Sequence, residues 1–440
     1  MENGRINIGM VGFGTVGTGV ARILLEHREL LRARLGAELV LKFVADIDTE
    51  TDRGIRLDPG VLVSDARAVV DDPEIDIVLE LIGGHGIAKE LIERSLQNGK
   101  HVVTANKALL ASQGNELFRL ATEKSVELAY EAAVGGCMPI IKTLRESLVG
   151  NVVHTMTGIL NGTCNYILSQ ITDEGVTYAA ALAEAQKKGY AEADPTLDVE
   201  GMDTAHKLAI LTALAYGMVI NLEDIYLEGI SKITPMDIQF ADQFGYRIKL
   251  LAIGKDRGEA VEARVHPTMI PFDNLLSNVN GSVNAITLTG DAVGDILLKG
   301  RGAGMMPTAS AVVSDAVDIA RSLLTGGGVR IPPLSYLPER IRQRPVLPMD
   351  RLETHYYFRF AAVDKPGVLS AIAGILGKRN ISLKSVHQKG RKTNGSVPVV
   401  MLTHLAREAD VRAALREIQA LDVVSDETML IRIEDENDTD

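Results

Sequence analysis

Residues 5–25 read RINIGMVGFGTVGTGVARILL, an apolar run followed by a glycine-rich turn and a segment with helical periodicity. This order predicts a strand, a phosphate-binding loop and a helix. Gly12, Gly14 and Gly17 form the pattern G-x-G-x-x-G. The first glycine permits the tight turn, the second lets backbone N–H groups approach a pyrophosphate, and the third lets the helix pack on the strand. A merely tight strand-to-helix turn is the alternative interpretation.

Four more apolar runs follow, each ending at a turn, with helical stretches between them. They read ELVLKFVADID (38–48), IDIVLELIGG (75–84), GKHVVTANK (99–107) and SVELAYEAAV (125–134). Alternation of strands and helices is typical of a doubly wound parallel sheet. We therefore predict an N-terminal Rossmann domain over residues 1–137, within an α/β protein.

The rest of the chain divides into three parts. Longer helices and separated strands predict an α+β catalytic and dimerisation domain over 138–306, and the apolar helical pattern of 307–325 predicts a helix that packs back on the first domain. Residues 326–350 contain three glycines and five prolines, which predicts a linker. Residues 351–435 follow the order β-α-β-hairpin-β-α-β of a ferredoxin-like domain.

Composition excludes several classes of function. The formal net charge is -12, from 58 acidic and 46 basic residues, which argues against a nucleic-acid or membrane-surface binder. The sequence contains neither a signal-peptide pattern nor an apolar run of about 18 residues. Its two cysteines are too few for a disulfide framework. These features predict a protein of the reducing cytoplasm.

Asp46 lies at the end of the second predicted strand, where dinucleotide-binding domains place an acid that accepts from the adenosine ribose. Such an acid favours NAD, because a 2′-phosphate would meet its negative charge. Arg53 lies close enough in sequence to complicate that assignment, so the preference for NAD is slight. Either nicotinamide cofactor is therefore compatible with the sequence.

Residues 189–207, GYAEADPTLDVEGMDTAHK, place five carboxylates directly before an apolar helical segment that contains Lys207. If residues 200–216 are helical, Asp203 and Lys207 lie one turn apart on an otherwise apolar face. Removal of a lysine from water favours its neutral form, which can exchange a proton. A buried structural ion pair is the alternative.

A second lysine follows the strand of VVTANK, which ends in Asn106 and Lys107. Doubly wound sheets bind ligands at the carboxyl ends of their strands. Two lysines, several carboxylates and a nicotinamide cofactor predict a substrate with an amine, a carboxylate and an alcohol or carbonyl group.

Residues 185–207, AQKKGYAEADPTLDVEGMDTAHK, resemble the signature of the homoserine dehydrogenases. VGFGTVG, ELIGG, VTANKALLA, YEAAVGGCMPII, GILNGTCNYIL and GRGAGMMPTASAVVSD resemble that family in the same order, over residues 5 to about 325. The last domain, with DKPGVLSAIAGIL, resembles an ACT domain. The resemblance implies NAD(P)-dependent, reversible oxidation of L-homoserine to L-aspartate 4-semialdehyde, a step toward threonine, methionine and isoleucine.

The resemblance also implies roles for individual residues. Lys207 would relay the alcohol proton, Asp203 would orient it, and Lys107 would lie beside the reacting oxygen. The substrate ammonium would be bound by Glu192 and Asp198, in a pocket lined by Tyr190, Gly162 and Thr163. Asp194 and Glu200 match no such role and are interpreted as solvated charges.

Cofactor and cation sites complete the expected machinery. A sodium or potassium ion is implied at Glu131 and at the backbone carbonyls of Val134, Gly136 and Met138. The residues assigned to the cofactor are Gly12, Phe13, Gly14, Thr15, Val16, Gly17, Asp46, Gly84, Thr104, Asn106 and Lys107.

The ACT-like domain predicts feedback control. Backbone N–H groups near Gly367 could bind an amino-acid carboxylate such as that of threonine, with Asp364 and Asn380 contacting its polar groups. Because ACT-like units pair, we expect a homodimer or homotetramer. A pure oligomerisation module is the alternative.

Two other functions compete with this interpretation. A semialdehyde dehydrogenase would need a cysteine nucleophile, but Cys137 has no histidine near it in sequence. The second is an effector-binding regulator with an inactive dehydrogenase half. Retention of both Asp203 and Lys207 argues against that possibility.

Overall fold

The computed structural model describes residues 4–388 and 395–435. Its N-terminal part is a six-stranded parallel sheet in the order β3-β2-β1-β4-β5-β6. The strands are β1 Arg5–Val11, β2 Glu38–Ala45, β3 Leu62–Val63, β4 Ile77–Glu80, β5 His101–Thr104 and β6 Leu128–Ala129. The helices are α1 Thr15–Glu26, α2 Arg28–Leu35, α3 Arg67–Val70, α4 Gly86–Gln97 and α5 Lys107–Lys124. This order is that of a Rossmann sheet and confirms the predicted fold class.

The second part is built on an antiparallel sheet in the order β12-β11-β7-β9-β10. Its strands are β7 Val153–Ile159, β8 Tyr226–Leu227, β9 Tyr246–Arg257, β10 Ala260–Pro271, β11 Val283–Gly290 and β12 Gly294–Arg301. Its helices are α6 Ile140–Lys142, α7 Gly162–Glu174, α8 Tyr178–Lys187, α9 Thr196–Val199, α10 Met202–Tyr216, α11 Pro235–Gln243 and α12 Met305–Leu324. Short β8 pairs with β10.

Helix α12 packs against the helix that follows the glycine loop. A Cβ atom at Gly19 of α1 would lie 2.9 Å from the Cβ of Ala309 and from the carbonyl oxygen of Met305. Val20, Ala309 and Val312 belong to one buried cluster. The glycine at position 19 therefore allows α12 to complete the core of the first sheet.

The third part has the antiparallel strand order β17-β13-β15-β14, as in ferredoxin-like domains. Its elements are β13 Glu353–Val363, α13 Val368–Lys378, β14 Leu383–Gln388, β15 Ser396–Thr403, β16 Ala406–Arg407, α14 Glu408–Gln419 and β17 Met429–Ile433. β17 also pairs in parallel with β10, through Thr268 with Arg432 and Met269 with Ile433. The second and third sheets thus form one continuous sheet, which covers the edge of β10.

A group of polar side chains lies at this junction, and we call it the joint cluster: Tyr226, Glu228, Glu408, Arg412 and Arg432. Arg432 and Glu408 are both fully buried. Arg432 donates from Nε to Glu408 at 3.0 Å and from a terminal nitrogen to Glu228 at 2.9 Å. The cluster therefore connects α14 and β17 to the segment around β8.

Within the described residues, no helix has the length and apolarity needed to span a membrane.

Candidate active site

Lys207 and Asp203 lie on the first two turns of α10. The helix begins after Gly201, whose φ of 89° places it in the left-handed region. Lys207 Nζ donates to Asp203 Oδ2 at 2.7 Å and to the carbonyl oxygen of Leu160 at 2.6 Å. Lys207 is only 7% exposed. The structure thus brings this pair together on a buried face, as the helical spacing predicts.

Lys107 approaches the same carboxylate from the Rossmann domain. Asn106 caps α5 by accepting from Leu109 N, and Lys107 is the first residue of that helix. Lys107 Nζ lies 3.2 Å from Asp203 Oδ1, with its side chain 39% exposed. Burial alone would raise the pKa of Asp203, but Lys207 and Lys107 together hold it well below its usual range. Asp203 therefore stays ionised between two lysines from two domains.

Asp198 lies on the other side of Asp203 and is connected to it by Asn161. The amide nitrogen of Asn161 donates to Asp198 Oδ1 at 2.7 Å and to Asp203 Oδ2 at 2.9 Å. Burial raises the pKa of Asp198, although the hydrogen bond from Asn161 opposes that shift. The sequence interpretation missed Asn161. Its position directly before an apolar helix, typical of an N-cap, was the available signal.

Of the other predicted substrate residues, Gly162 and Thr163 directly follow Asn161, and Tyr190 contacts Thr163. Thr163 Oγ1 donates to the carbonyl oxygen of Tyr190 at 2.7 Å. A Cβ at Gly162 would lie 2.7 Å from the carbonyl oxygen of Ser282, so glycine is required there. Glu192 is exposed, with its backbone carbonyl accepting from Gln186. The structure does not bring its carboxylate into the cluster.

The glycine loop has the geometry that a dinucleotide requires. Gly12 has a φ of 101°, and a Cβ at Gly17 would collide with its carbonyl oxygen. Gly14 is exposed, and a Cβ there would have no neighbour within 4 Å. No side chain caps the first turn of α1, which contains Thr15 and Val16. Its backbone N–H groups are therefore free to donate to a pyrophosphate.

The expected ribose-binding acid lies beside a cation. Asp46 Oδ2 accepts from Phe13 N at 2.6 Å, which fixes the carboxylate at the loop. A terminal nitrogen of Arg53 lies 3.7 Å from Asp46 Oδ1, and its guanidinium lies 5.0 Å from the centre of the Phe13 ring. Asp46 could accept from a ribose hydroxyl and Arg53 could bind a 2′-phosphate, and the two side chains lie together.

Glu80 is a buried site residue that the sequence interpretation missed. One carboxylate oxygen accepts from Ile82 N and Gly83 N, both at 3.0 Å, and the other accepts from Thr104 Oγ1 at 2.6 Å. Asn106 Nδ2 donates to the carbonyl oxygen of Gly84 at 2.7 Å. Glu80 therefore connects the loop after β4 to the end of β5, next to Lys107. The sequence feature that could have identified Glu80 is a carboxylate at the end of the otherwise apolar strand β4.

The expected cation site contains one buried carboxylate. Glu131 accepts from Ile141 N at 2.9 Å and from Lys142 N at 2.8 Å. Burial and, secondarily, the Asp315 carboxylate raise the pKa of Glu131 to about 7. Val134 and Met138 are buried, and Gly136 has a φ of 60°. Among the described residues, no group of three or more His, Cys, Asp or Glu side chains could hold a metal. One carboxylate with backbone carbonyls is a donor set that suits a hard, weakly charged cation.

The predicted effector residues lie at opposite ends of one helix. Gly367, with a φ of 92°, precedes α13, and Asp364 lies just before it. Asn380 follows α13, whose eleven residues span roughly 16 Å. All three residues are exposed. A single small amino acid therefore cannot contact both ends of α13 within one chain.

Neither cysteine resembles an activated nucleophile. Cys137 is exposed, and its thiol contacts the carbonyl oxygen of Arg301 at 3.4 Å. Cys164 is fully buried, donates to the carbonyl oxygen of Asp198 at 3.1 Å, and has a pKa raised by burial. A thiolate mechanism has no support from this geometry.

A parallel sheet with a dinucleotide-binding loop, from which Lys107 reaches a buried carboxylate paired with a second lysine, is characteristic of a nicotinamide-dependent oxidoreductase. Comparison with known families agrees with that class. Residues 139–317 match the family model described as homoserine dehydrogenase. Residues 12–131 match the homoserine dehydrogenase NAD-binding domain, and residues 356–423 match the ACT domain.

Individual relatives identify the family over the full chain. The homoserine dehydrogenase of Neisseria gonorrhoeae is 45% identical over 433 residues, covering 98% of this chain and 99% of the relative. That of Pseudomonas aeruginosa is 44% identical with the same coverage. The crystal structure of a homoserine dehydrogenase from Thiobacillus denitrificans matches with a TM-score of 0.92 and 46% identity, covering 98% of each chain.

A hyperthermophilic archaeal homoserine dehydrogenase in complex with NADPH matches with a TM-score of 0.61 and 27% identity, over 74% of this chain and all of that chain. The chain belongs to the homoserine dehydrogenase family. It is an NAD(P)-dependent oxidoreductase, which confirms the family and activity predicted from sequence. A regulator with an inactive dehydrogenase half is not favoured.

Proposed function

We propose that Lys207 exchanges the hydroxyl proton in the reversible oxidation of L-homoserine to L-aspartate 4-semialdehyde. The observation that carries this proposal is the position of its amine, which shares the carboxylate of Asp203 with Lys107 at the end of the parallel sheet. Lys207 Nζ donates to Asp203 and to the carbonyl of Leu160. A neutral amine that donates both of its N–H groups keeps a lone pair, which can accept the hydroxyl proton; in the ammonium form the same position is a third N–H group, which can return that proton.

The chain's own groups then define the remaining roles. When bound at the glycine loop, the nicotinamide cofactor supplies the hydride acceptor or donor. Lys207 removes the hydroxyl proton as the alcohol becomes an aldehyde, and Asp203 stabilises the ammonium that results. Lys107, 3.2 Å from Asp203, adds a positive charge beside the reacting oxygen. In the reverse direction Lys207 donates the proton.

The substrate ammonium is assigned to the acidic loop. Asp198 is half-buried next to Asp203, and Tyr190, Gly162 and Thr163 form the adjacent wall. Glu192 lies on the same loop and would complete the ammonium site if the loop closes over bound substrate. Arg53 beside Asp46 supports the use of both NAD and NADP.

A monovalent cation is proposed at Glu131 and the carbonyls of Val134, Gly136 and Met138. Beside the site, the buried Asp315 accepts from Glu131 N, and its negative charge contributes to the raised pKa of Glu131. The Lys142 amine pairs with Asp315 at 3.2 Å. A sodium or potassium ion would balance the remaining charge. Replacing both ions by tetramethylammonium should then lower the activity.

We also propose a cytoplasmic homodimer or homotetramer that threonine inhibits through the ACT domain. A physical connection supports this regulation. Arg432 and Arg412 of the ACT domain contact Tyr226 and Glu228. Two residues further, Ile230 N donates to the carbonyl oxygen of Val199, which follows Asp198.

The direct test is absorbance of reduced nicotinamide with homoserine and either NAD or NADP at alkaline pH, with potassium or sodium, and with and without threonine. Formation of reduced cofactor with homoserine, and none with a primary alcohol that lacks the ammonium group, supports the proposed substrate site. No formation with either cofactor from folded protein would contradict it. An unchanged rate with threonine and no binding heat would exclude the threonine effector.

A further inference from the structure

Asn161 lies between the two carboxylates of the proposed site and is only 5% exposed. Its orientation is fixed by the helix that follows it. Asn161 Oδ1 accepts from Cys164 N at 2.8 Å as the N-cap of α7, so the amide nitrogen must point the other way. That nitrogen donates one hydrogen to Asp198 at 2.7 Å and the other to Asp203 at 2.9 Å.

We infer that Asn161 is a positioning residue, which holds the ammonium-binding carboxylate of Asp198 at a fixed separation from the carboxylate that orients Lys207. This inference rests on the proposed function of the same site. It extends that function by linking two roles, substrate binding and orientation of the acid/base, through one uncharged side chain.

The lack of charge on Asn161 is what suits it to this position. Two neighbouring carboxylates, one buried and one half-buried, repel each other, and a donor between them offsets that repulsion. A lysine or arginine would do so as well, but its positive charge would compete with the substrate ammonium for Asp198. An amide stabilises both carboxylates and leaves their charges available to the ammonium and to Lys207.

The neighbouring residue strengthens the arrangement. The carbonyl oxygen of Leu160 accepts from Lys207 Nζ at 2.6 Å and from Asn284 Nδ2 at 2.9 Å. Residues 160 and 161 therefore hold Lys207 and Asp203, respectively. A displacement of this turn would move the acid/base and its orienting carboxylate together.

The test replaces Asn161 by serine, which retains an N-cap acceptor but is too short to reach both carboxylates. Asn165→Ser is the matched control. Asn165 lies one turn further along α7, is 1% exposed, and donates to the carbonyl oxygens of Val279 and Val283. Both variants are assayed for homoserine oxidation across pH, with the KM for each substrate and the thermal midpoint.

Asn161→Ser should lower kcat/KM for homoserine about 100-fold, with the KM for the cofactor unchanged. Loss of the donated hydrogen bonds favours protonated carboxylates, so the acid limb of the kcat/KM profile should move to higher pH. The charged or titratable groups that face Asp198 and Asp203 are Lys207 and His206 of α10, Lys107 of α5 and Cys164 of α7. Asn165→Ser should stay within about threefold of wild type with an unmoved profile.

Equal losses in both serine variants, without a shift of the acid limb, would show that Asn161 only supports the fold and would overturn the inference. If Asn161→Ser does not fold, Asn161→Asp decides the question, because it keeps the size and the cap but replaces the two donors by a third carboxylate. Wild-type kinetics for that variant would equally overturn the inference. These outcomes are distinguishable from failure of the proposed function. In that case the wild-type enzyme itself would form no reduced cofactor from homoserine.

Discussion

The active site and the joint cluster both bury several charged groups, yet their hydrogen bonding differs. In the joint cluster, Nε of Arg432 and both of its terminal nitrogens have acceptors, on Glu408, Glu228 and Tyr226. In the active site, Asp203 is shared by two lysines, and Lys207 retains one unused position on its nitrogen. Burial of charge is common to both clusters, so it does not identify the catalytic one. The position of the group does, because Lys107 reaches Asp203 from the end of the parallel sheet, where doubly wound sheets bind their ligands.

The largest expected effect comes from removing the lysine amine of the active site. Lys207→Met should lower kcat for homoserine oxidation by roughly two to four orders of magnitude, the usual contribution of a general acid/base. Cofactor binding, measured by titration with reduced nicotinamide, should be unchanged.

Lys100→Met is the matched control for loss of a buried lysine. Lys100 is 5% exposed and donates to the carbonyl oxygens of Asp72 and Ile75. This variant should lose stability but keep the wild-type kcat. A comparable loss of kcat in both variants would remove the distinction between the two kinds of buried charge.

The second prediction concerns the joint cluster. Arg432→Met leaves Glu408 buried with Arg412 as its remaining ion-pair partner, and should lower the free energy of unfolding by about 2 to 4 kcal/mol. Because the chain contains no tryptophan, unfolding in urea is best followed by far-ultraviolet circular dichroism. The kcat of the folded enzyme without threonine should not change.

Lys232→Met tests the same junction at an exposed pair. Lys232 lies 2.8 Å from Glu427, and the two side chains are 68% and 73% exposed. Such pairs contribute about 1 kcal/mol or less, so the unfolding midpoint should barely move. If the two variants unfold alike, the joint cluster is not a stabilising core between the domains.

The smallest expected effect is on pH dependence. Burial raises the pKa of Asp198, and only its ionised form attracts the substrate ammonium. The KM for homoserine should therefore rise as pH falls through that raised pKa, above the range in which an exposed aspartate titrates. Asp198→Asn should have a high KM that no longer depends on pH in this range.

Asp194→Asn provides the control within the same loop. Asp194 is exposed, and hydrogen bonds from Thr196 lower its pKa. Its removal should change neither the KM nor the acid limb. An equal effect of both substitutions would mean that the loop acts through its net charge alone.

Local sequence patterns were sufficient for the order of strands and helices and for the Asp203–Lys207 pair, because both depend on short periodicities. They were insufficient for contacts between distant segments. The approach of Lys107 to Asp203 joins residues from two domains, and the pairing of β17 with β10 joins segments far apart in sequence. Strand β3 has only two residues, and the apolar stretch around it, residues 61–63, is too short to predict a strand. Glu80 and Asn161 were missed because their partners become neighbours only in the folded chain.

The central claim is that the Lys207 amine transfers the proton, and chemical rescue tests it most directly. Lys207→Ala removes the side chain and leaves Asp203 and the carbonyl of Leu160 in place as acceptors. Homoserine oxidation by this variant should be slow and should increase with added methylamine at alkaline pH, while Lys100→Ala should show no such response. A Lys207→Ala enzyme that oxidises homoserine at the wild-type rate without added amine would contradict the account.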